Sequence, residues 1–258
     1  MRQRPANWVR FEHAGREAIG RLESDRIHVH HGNLFDAPQD SRTELPAEAV
    51  RLLAPVRPTK VLALWNNFGQ LAAKLGLSRP AEPLYLLKPP NSFLAPGATI
   101  RHPPGHAKIA YEGELAIVIG RRATRVTLDD AVAHVFGYTC ANDVTVPDLI
   151  GRDSSFPQWV RAKGFDTFCP FGPAIATGLD PAALTVRTRL DGQLRQDYPI
   201  SDMRFSVAEL VSLISYDMTL EPGDLILCGT SVGVGSMKPG SRVSIEIDGI
   251  GTLTNPVE

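Results

Sequence analysis

Two glutamates in a run too apolar to leave them in water constrain this chain more than any other feature. Residues 110–120, AYEGELAIVIG, carry Glu112 and Glu114 near their start. In a strand, side chains alternate between faces, so both glutamates point the same way and share that face with Ala116 and Val118. Leu115, Ile117 and Ile119 line the other face. Apolar residues on both faces mark a strand covered on both sides. Two like charges there are costly unless a cation or hydrogen bonds compensate them. A bound metal is the most direct compensation.

A third carboxylate belongs with this pair. Asp143 ends a second apolar segment, VFGYTCANDV over residues 135–144, which also reads as a strand. The intervening sequence is long enough for the first strand to finish and for a short helix, about residues 128–134, to return the chain. Three carboxylates with no cysteine or histidine make a hard-oxygen site suited to Mg²⁺ or Mn²⁺, with Ca²⁺ able to stand in. A lone E-x-E is a common surface pattern. The apolar setting and the aspartate of the second strand favour the metal.

Composition excludes other classes. Over 258 residues, 43% hydrophobic and 21% charged residues with a net charge of −1 describe an ordinary globular chain. No basic run interleaved with aromatics suggests nucleic acid. No apolar stretch approaches the roughly 20 residues that span a bilayer. The start, MRQRPANWVRF, has no apolar segment of a secretion signal, and a cytoplasmic location is expected. Cys140, Cys169 and Cys228 are scattered and odd in number, each in an apolar run, which reads as packing rather than a disulfide framework or a nucleophile.

The rest of the chain is short strands punctuated by turns. Residues up to about 54 stand apart as a small antiparallel β unit, and a short helix over 47–53 at its end leads on to the main domain. A strand over 60–65 runs into a helix over 69–75, and LYLLK reads as another buried strand. Its Lys88 is either a strand-end charge reaching solvent or a cation of the site. The loop RHPPGHAK places His102 and His106 just before the glutamate strand, as candidates for a general base. After Asp143, a polar segment rich in turn formers ends in a β-prone run with Lys163, which is suited to neutralising a bound carboxylate or enolate. Asp191–Gly192 and Asp248–Gly249 signal hairpins. Ser206 with Glu209 three residues on forms a capping box for a helix over 206–217. In CGTSVGVG, no G-K-[ST] follows, so the loop is not a P-loop. Its glycines, Gly229 among them, let backbone amides and the Thr230 hydroxyl approach an anion closely.

Four blocks in order, YEGELAIVIG, GYTCANDV, QWVRAKGFDTFCPFGP and PGDLILCGTSVGVG, resemble the fumarylacetoacetate hydrolase superfamily. The similarity runs from about residue 60 to the C-terminus. It is greatest to the branch of isomerases, decarboxylases and hydrolases acting on 2-oxo or 2-hydroxy-dienoic acids from aromatic breakdown. These include enzymes like 2-hydroxyhepta-2,4-diene-1,7-dioate isomerase/decarboxylase and acylpyruvases. The resemblance implies a mainly β (α+β) fold, the family's β-roll or mixed β-sandwich. It also implies a small N-terminal β domain and linker over 1–57, a catalytic domain over 58–258, and a homodimer. It puts metal ligands on Glu112, Glu114 and Asp143, the active-site lysine on Lys163 and the substrate-contacting loop threonine on Thr230.

One departure bears on mechanism. Hydrolytic members resemble N-Y-x-x-H-x-x-E in the block after the first strand, and their histidine and glutamate activate water. Here the matching positions are Leu71 and Lys74. Leucine carries no proton, and lysine at neutral pH is not a base. A 2-oxo acid chelated through carboxylate and carbonyl fills two of the about three open positions on a six-coordinate cation. Decarboxylation or keto–enol isomerisation needs only that electron sink and a proton donor. The alternatives are a C–C hydrolase that takes its base from elsewhere, such as His102 or His106, and a relative that binds metal and oxo acid without turnover.

Overall fold

The computed structural model describes residues 5–258. Its main sheet has twelve strands. Along the principal path they run Gln39–Pro46, Arg26–His31, Arg16–Glu23, Ala6–His13, Cys169–Thr177, Val135–Asn142, Gly113–Ile119, Leu225–Leu227, Val61–Trp65 and Leu84–Lys88. Pairing is antiparallel except where Leu225–Leu227 lies parallel to Val61–Trp65 and Phe93–Leu94 lies parallel to Cys169–Thr177. A second sheet of four strands, Gln193–Pro199, Thr185–Leu190, Arg242–Ile247 and Gly251–Pro256, packs over one face. The expected mixed β-sandwich is therefore present. The N-terminal strands are continuous with the main sheet, because Ala6–His13 pairs directly with Cys169–Thr177.

The strand Gly113–Ile119 is buried at every residue. Leu115, Ile117 and Ile119 join the larger core, between the sheets, with Val186, Ile245 and Leu253 of the second sheet and Leu210 and Ile214 of the helix Val207–Asp217. Ala116 and Val118 enter the other core with Ala63, Leu227 and Phe171, against Leu34 and Trp8 from the N-terminal region. Both faces are thus dry, as the alternation predicts.

Several expected elements differ in detail. The glutamate run is two strands, Ile109–Tyr111 and Gly113–Ile119, broken at Glu112. The break arises because the Glu112 amide donates to the Asn142 side chain (3.0 Å) instead of a backbone carbonyl. The helix expected over 47–53 is one 3₁₀ turn, Ala47–Ala49, followed by the strand Arg51–Leu52 paired to Phe11 and Glu12. Leu84–Lys88 is an edge strand with Leu84 and Leu87 exposed, since only one side has a partner. The expected β-prone run around Lys163 is instead the short helix Trp159–Lys163, preceded by Pro147–Ile150 with proline at its first position. The hairpin turn at Asp191 and Gly192 has positive φ at both residues, and the Ser206–Glu209 capping box forms as predicted.

The parallel strand pair needs an anchor, because no tight turn joins it. Asp224, fully buried, is that anchor. Its Oδ1 accepts from the Thr59 amide (2.9 Å), the Thr59 hydroxyl (2.7 Å) and the Lys60 amide (3.1 Å). Its Oδ2 accepts from the Glu221 amide (2.8 Å) and Lys60 Nζ (2.5 Å). Truncation strands three backbone donors and an ammonium. Asp224→Ala is expected to lower the unfolding free energy by about 3–5 kcal/mol, as for other broken buried ion pairs, measured by urea titration. A loss below about 1 kcal/mol, the value of an exposed pair, sinks the anchor role.

Candidate active site

The break at Glu112 brings the three carboxylates together. One oxygen from each of Glu112, Glu114 and Asp143 lies within 4.8 Å of the other two. Glu114 stands opposite Ala141 in the ladder, and the Asp143 amide donates to the Glu112 carbonyl (2.9 Å), so pairing continues through the kink. The residue between the glutamates has to be glycine. A Cβ on Gly113 lies 2.0 Å from Thr188 Oγ1, an impossible contact with the second sheet.

Two ammonium groups face the cluster. Lys163 Nζ donates to Asp143 Oδ2 (2.6 Å), Thr145 Oγ1 (2.7 Å) and Glu112 Oε2 (2.9 Å), which commits all three of its protons. Lys88 Nζ donates to Asp143 Oδ1 (2.6 Å) and the Phe168 carbonyl (2.9 Å). Lys88 is 1% exposed, so of its two sequence readings the site cation holds and the solvent-reaching charge does not. Thr145 Oγ1 also lies 2.9 Å from Glu112 Oε1.

The charges divide unequally. Burial opposes ionisation of Asp143, but Lys163 and Lys88 outweigh it and hold the carboxyl below its usual range. Burial pushes Glu112 upward, with Lys163 only partly offsetting it. Glu114 is driven well above the carboxylate range, by burial first and then by the neighbouring charges of Asp143 and Glu112. Its Oε2 accepts from the Gly229 amide (2.7 Å), while its Oε1 is buried with no partner among the described residues. An orphan carboxylate oxygen beside two more carboxylates is a hard-oxygen donor set, which fits Mg²⁺ or Mn²⁺.

The glycine-rich loop closes one side. Gly229 has φ +89°, and a Cβ there lies 3.2 Å from the Leu64 carbonyl, so glycine lets the loop approach Glu114. Thr230 Oγ1 donates to the Gly113 carbonyl (3.0 Å) and accepts from Gln196 Nε2 (2.8 Å). Gln196, Tyr198, Asn142 and Thr145 are site residues that the sequence does not single out. Only Asn142 and Thr145, flanking Asp143, carried a positional hint.

Other predicted residues lie apart. His102 Nδ1 lies 3.2 Å from the Pro103 carbonyl, and the His106 ring stacks edge-on against Phe165 at 5.3 Å. Among the described residues neither histidine forms a hydrogen bond or ion pair with the three carboxylates. His102 lines a separate cleft with Asn91, Arg101, Phe165 and Asp166. Leu71 is half-buried and Lys74 exposed on the helix Gly69–Leu75. All three cysteines are buried and free, and burial raises each thiol, Cys169 to about 12, as packing residues require.

The raised Glu114 makes a two-sided prediction. Its ionisation in the metal-free fold opposes stability, and that cost grows as pH rises from the unfolded-state carboxylate pKa of about 4.3 through the raised folded value. Glu114→Gln keeps an acceptor for Gly229 and removes the charge. Without metal, the variant is expected to melt above the wild type at pH 8, with the gap narrowing toward pH 5. Mn²⁺ is expected to raise the melting temperature of the wild type alone. A variant less stable than wild type in chelator at pH 8 contradicts this account.

Comparisons with known proteins converge on the same architecture. Residues 60–258 match the fumarylacetoacetate (FAA) hydrolase C-terminal family, and residues 7–55 match the Rv2993c-like N-terminal family. The chain is 36% identical over 255 residues to the oxaloacetate tautomerase YisK of Bacillus subtilis, covering 91% of this chain and 84% of that one. It superposes on a 2-hydroxyhepta-2,4-diene-1,7-dioate isomerase from Mycobacterium marinum with TM-score 0.90 and 40% identity, covering 98% of each chain. It superposes on a fumarylpyruvate hydrolase from Pseudomonas aeruginosa, in complex with Mn²⁺ and pyruvate, with TM-score 0.72 and 32% identity, covering 80% of this chain and 91% of that one. The buried carboxylate triad is therefore set in a known enzyme framework, and the chain belongs to the fumarylacetoacetate hydrolase family.

Proposed function

We propose that this chain is a divalent-metal-dependent enzyme that interconverts the keto and enol forms of a 2-oxo acid, with decarboxylation of a 2-oxo diacid as a second outlet of the same enolate. One observation carries the reading. The charge-stabilising half of the site is complete, with Glu112, Glu114, Asp143 and Lys163 in contact range, while the helix Gly69–Leu75 carries Leu71 and Lys74 at the positions where the sequence resemblance places the water-activating pair of hydrolytic members. The isomerase and tautomerase relatives support the same reaction class.

The three carboxylates would hold the cation, whose Lewis acidity favours the anionic enol form over the ketone. Lys163 then serves as a fixed cation. An N–H released from Glu112 or Asp143 turns to the carboxylate or enolate oxygen of the substrate. The Gly229 and Thr230 backbone permits close approach, and the Thr230 hydroxyl donates to the substrate carboxylate. His102 and His106 are the proposed proton carriers, brought to the substrate by an inward movement of their loop.

The test is oxaloacetate enol–keto interconversion followed by ultraviolet absorbance with Mn²⁺ or Mg²⁺, alongside decarboxylation and fumarylpyruvate cleavage. Metal-dependent interconversion is expected, abolished by chelator and by Glu114→Ala. Lys163→Met is expected to lower kcat by about 10²- to 10³-fold, the usual effect of removing one charge-stabilising donor. His102→Ala and His106→Ala variants with wild-type rates remove both histidines from proton transfer. Cleavage of fumarylpyruvate faster than enol interconversion overturns the proposal in favour of hydrolysis.

A further inference from the structure

Beneath the glutamate pair, on the face turned to the second sheet, the Gly113 peptide is held by side chains alone. The reason is geometric. Leu225–Leu227 pairs with residues 116–118 of the glutamate strand, and the Cys228 amide donates to the Leu115 carbonyl. The chain then peels away into the glycine loop, leaving the outer edge of Gly113 without a backbone partner. An orphaned buried amide or carbonyl is costly, so something has to satisfy both. The Gly113 amide donates to Gln196 Oε1 (3.0 Å), and its carbonyl accepts from Tyr198 OH (2.5 Å) and Thr230 Oγ1 (3.0 Å).

Gln196 does more than fill a gap. It is 1% exposed on the strand Gln193–Pro199, and its other end, Nε2, donates to Thr230 Oγ1 (2.8 Å) and the Ser231 carbonyl (3.2 Å). A hydroxyl that accepts from an amide presents its single proton elsewhere, as a donor. Tyr198 also bonds the Gly113 carbonyl, so Thr230 can release its proton to a ligand without orphaning that oxygen.

We propose that Gln196 is a positioning residue of the site. It spaces the glutamate pair by holding the peptide between them, and it orients the Thr230 hydroxyl as a hydrogen-bond donor. The second half of this rests on the reading of Thr230 as a substrate contact; the first does not.

Two variants separate the roles. Gln196→Glu keeps an acceptor for the Gly113 amide and loses both donors to the loop, whereas Gln196→Ala loses everything. Amide hydrogen exchange of the ligand-free protein is measured first. Exchange at Gly113 is expected to rise about tenfold in Gln196→Ala and little in Gln196→Glu, the effect of one buried hydrogen bond. Unchanged exchange in Gln196→Ala overturns the proposal whatever the protein binds. Calorimetric Mn²⁺ affinity is expected to fall about tenfold in Gln196→Ala and not to fall in Gln196→Glu, whose carboxylate keeps the Gly113 contact and adds negative charge beside the ligands. With oxaloacetate, Gln196→Glu is expected to raise KM about tenfold while kcat changes less, because a misdirected Thr230 weakens substrate binding in ground and transition states alike. Equal losses in Mn²⁺ affinity for both variants, or an unaltered KM in Gln196→Glu, overturn the orienting role. A wild type that binds Mn²⁺ but turns over no oxo acid defeats the proposed function alone and leaves the exchange and metal arms decisive for Gln196.

Discussion

Three carboxylates and two ammonium groups share one buried end of the main sheet, and their formal charges leave one negative charge in excess. Carboxylates about 5 Å apart repel by about 3 kcal/mol at an effective dielectric constant of about 20. That repulsion is distributed by geometry. Asp143 sits between Lys88 and Lys163 and keeps its charge, while Glu114, out of reach of hydrogen bonds from either, collects the strain. A divalent cation converts the excess to one positive charge, and a site with a net positive charge in a dry setting selects an anion. The two lysines thus leave a centre in which three carboxylates can hold a cation without a net negative charge.

Everything else near the site keeps that arrangement from relaxing. A flexible chain would let the carboxylates separate, but Glu114 stands on a strand buried on both faces, and Asp143 follows its antiparallel neighbour. The kink at Glu112 is fixed by Asn142 from one side, while Tyr198, Gln196 and Thr230 hold Gly113 from the other. The second sheet therefore acts on the site without presenting a ligand to it. Its tightest constraint is at Gly113, where any side chain collides with Thr188.

What was legible in the sequence follows the range of the physics involved. The carboxylate triad could be read because unpaired acids in apolar runs violate burial rules locally, at Glu112, Glu114 and Asp143. The hairpin at Asp191–Gly192 and the Ser206 cap are likewise local. The break at Glu112 was hidden because it depends on a side chain, Asn142, thirty residues away. Lys88 has two sequence readings because its partner, Asp143, follows a strand that does not neighbour its own. Gln196 gave no local signal at all, sitting in an ordinary alternating hairpin strand whose inward polar residue reads as a minor flaw. The short helix Trp159–Lys163 was missed because tertiary contact, with Val146 donating to the Ala162 carbonyl, overrides a β-prone composition.

The helix Gly69–Leu75 leaves some of its side chains free of any structural duty. It is held by the Gln70 amide on Asp202 (3.0 Å), by buried Ala72, and by Gly76 in the left-handed conformation that ends it. Just before it, Asn67 bonds the Cys228 carbonyl and the Phe205 amide. None of these contacts uses the side chains at positions 71 and 74. The helix therefore does not depend on Leu71 and Lys74 for its support, and Lys74 suits its last turn, where a cation complements the helix dipole. The metal triad has no such freedom, since Glu112, Glu114 and Asp143 are each tied into the ladder or the lysine network. In this architecture the carboxylate cluster is fixed by the fold, whereas positions 71 and 74 lie on a helix face whose side chains can be exchanged without loss of the contacts that hold the helix.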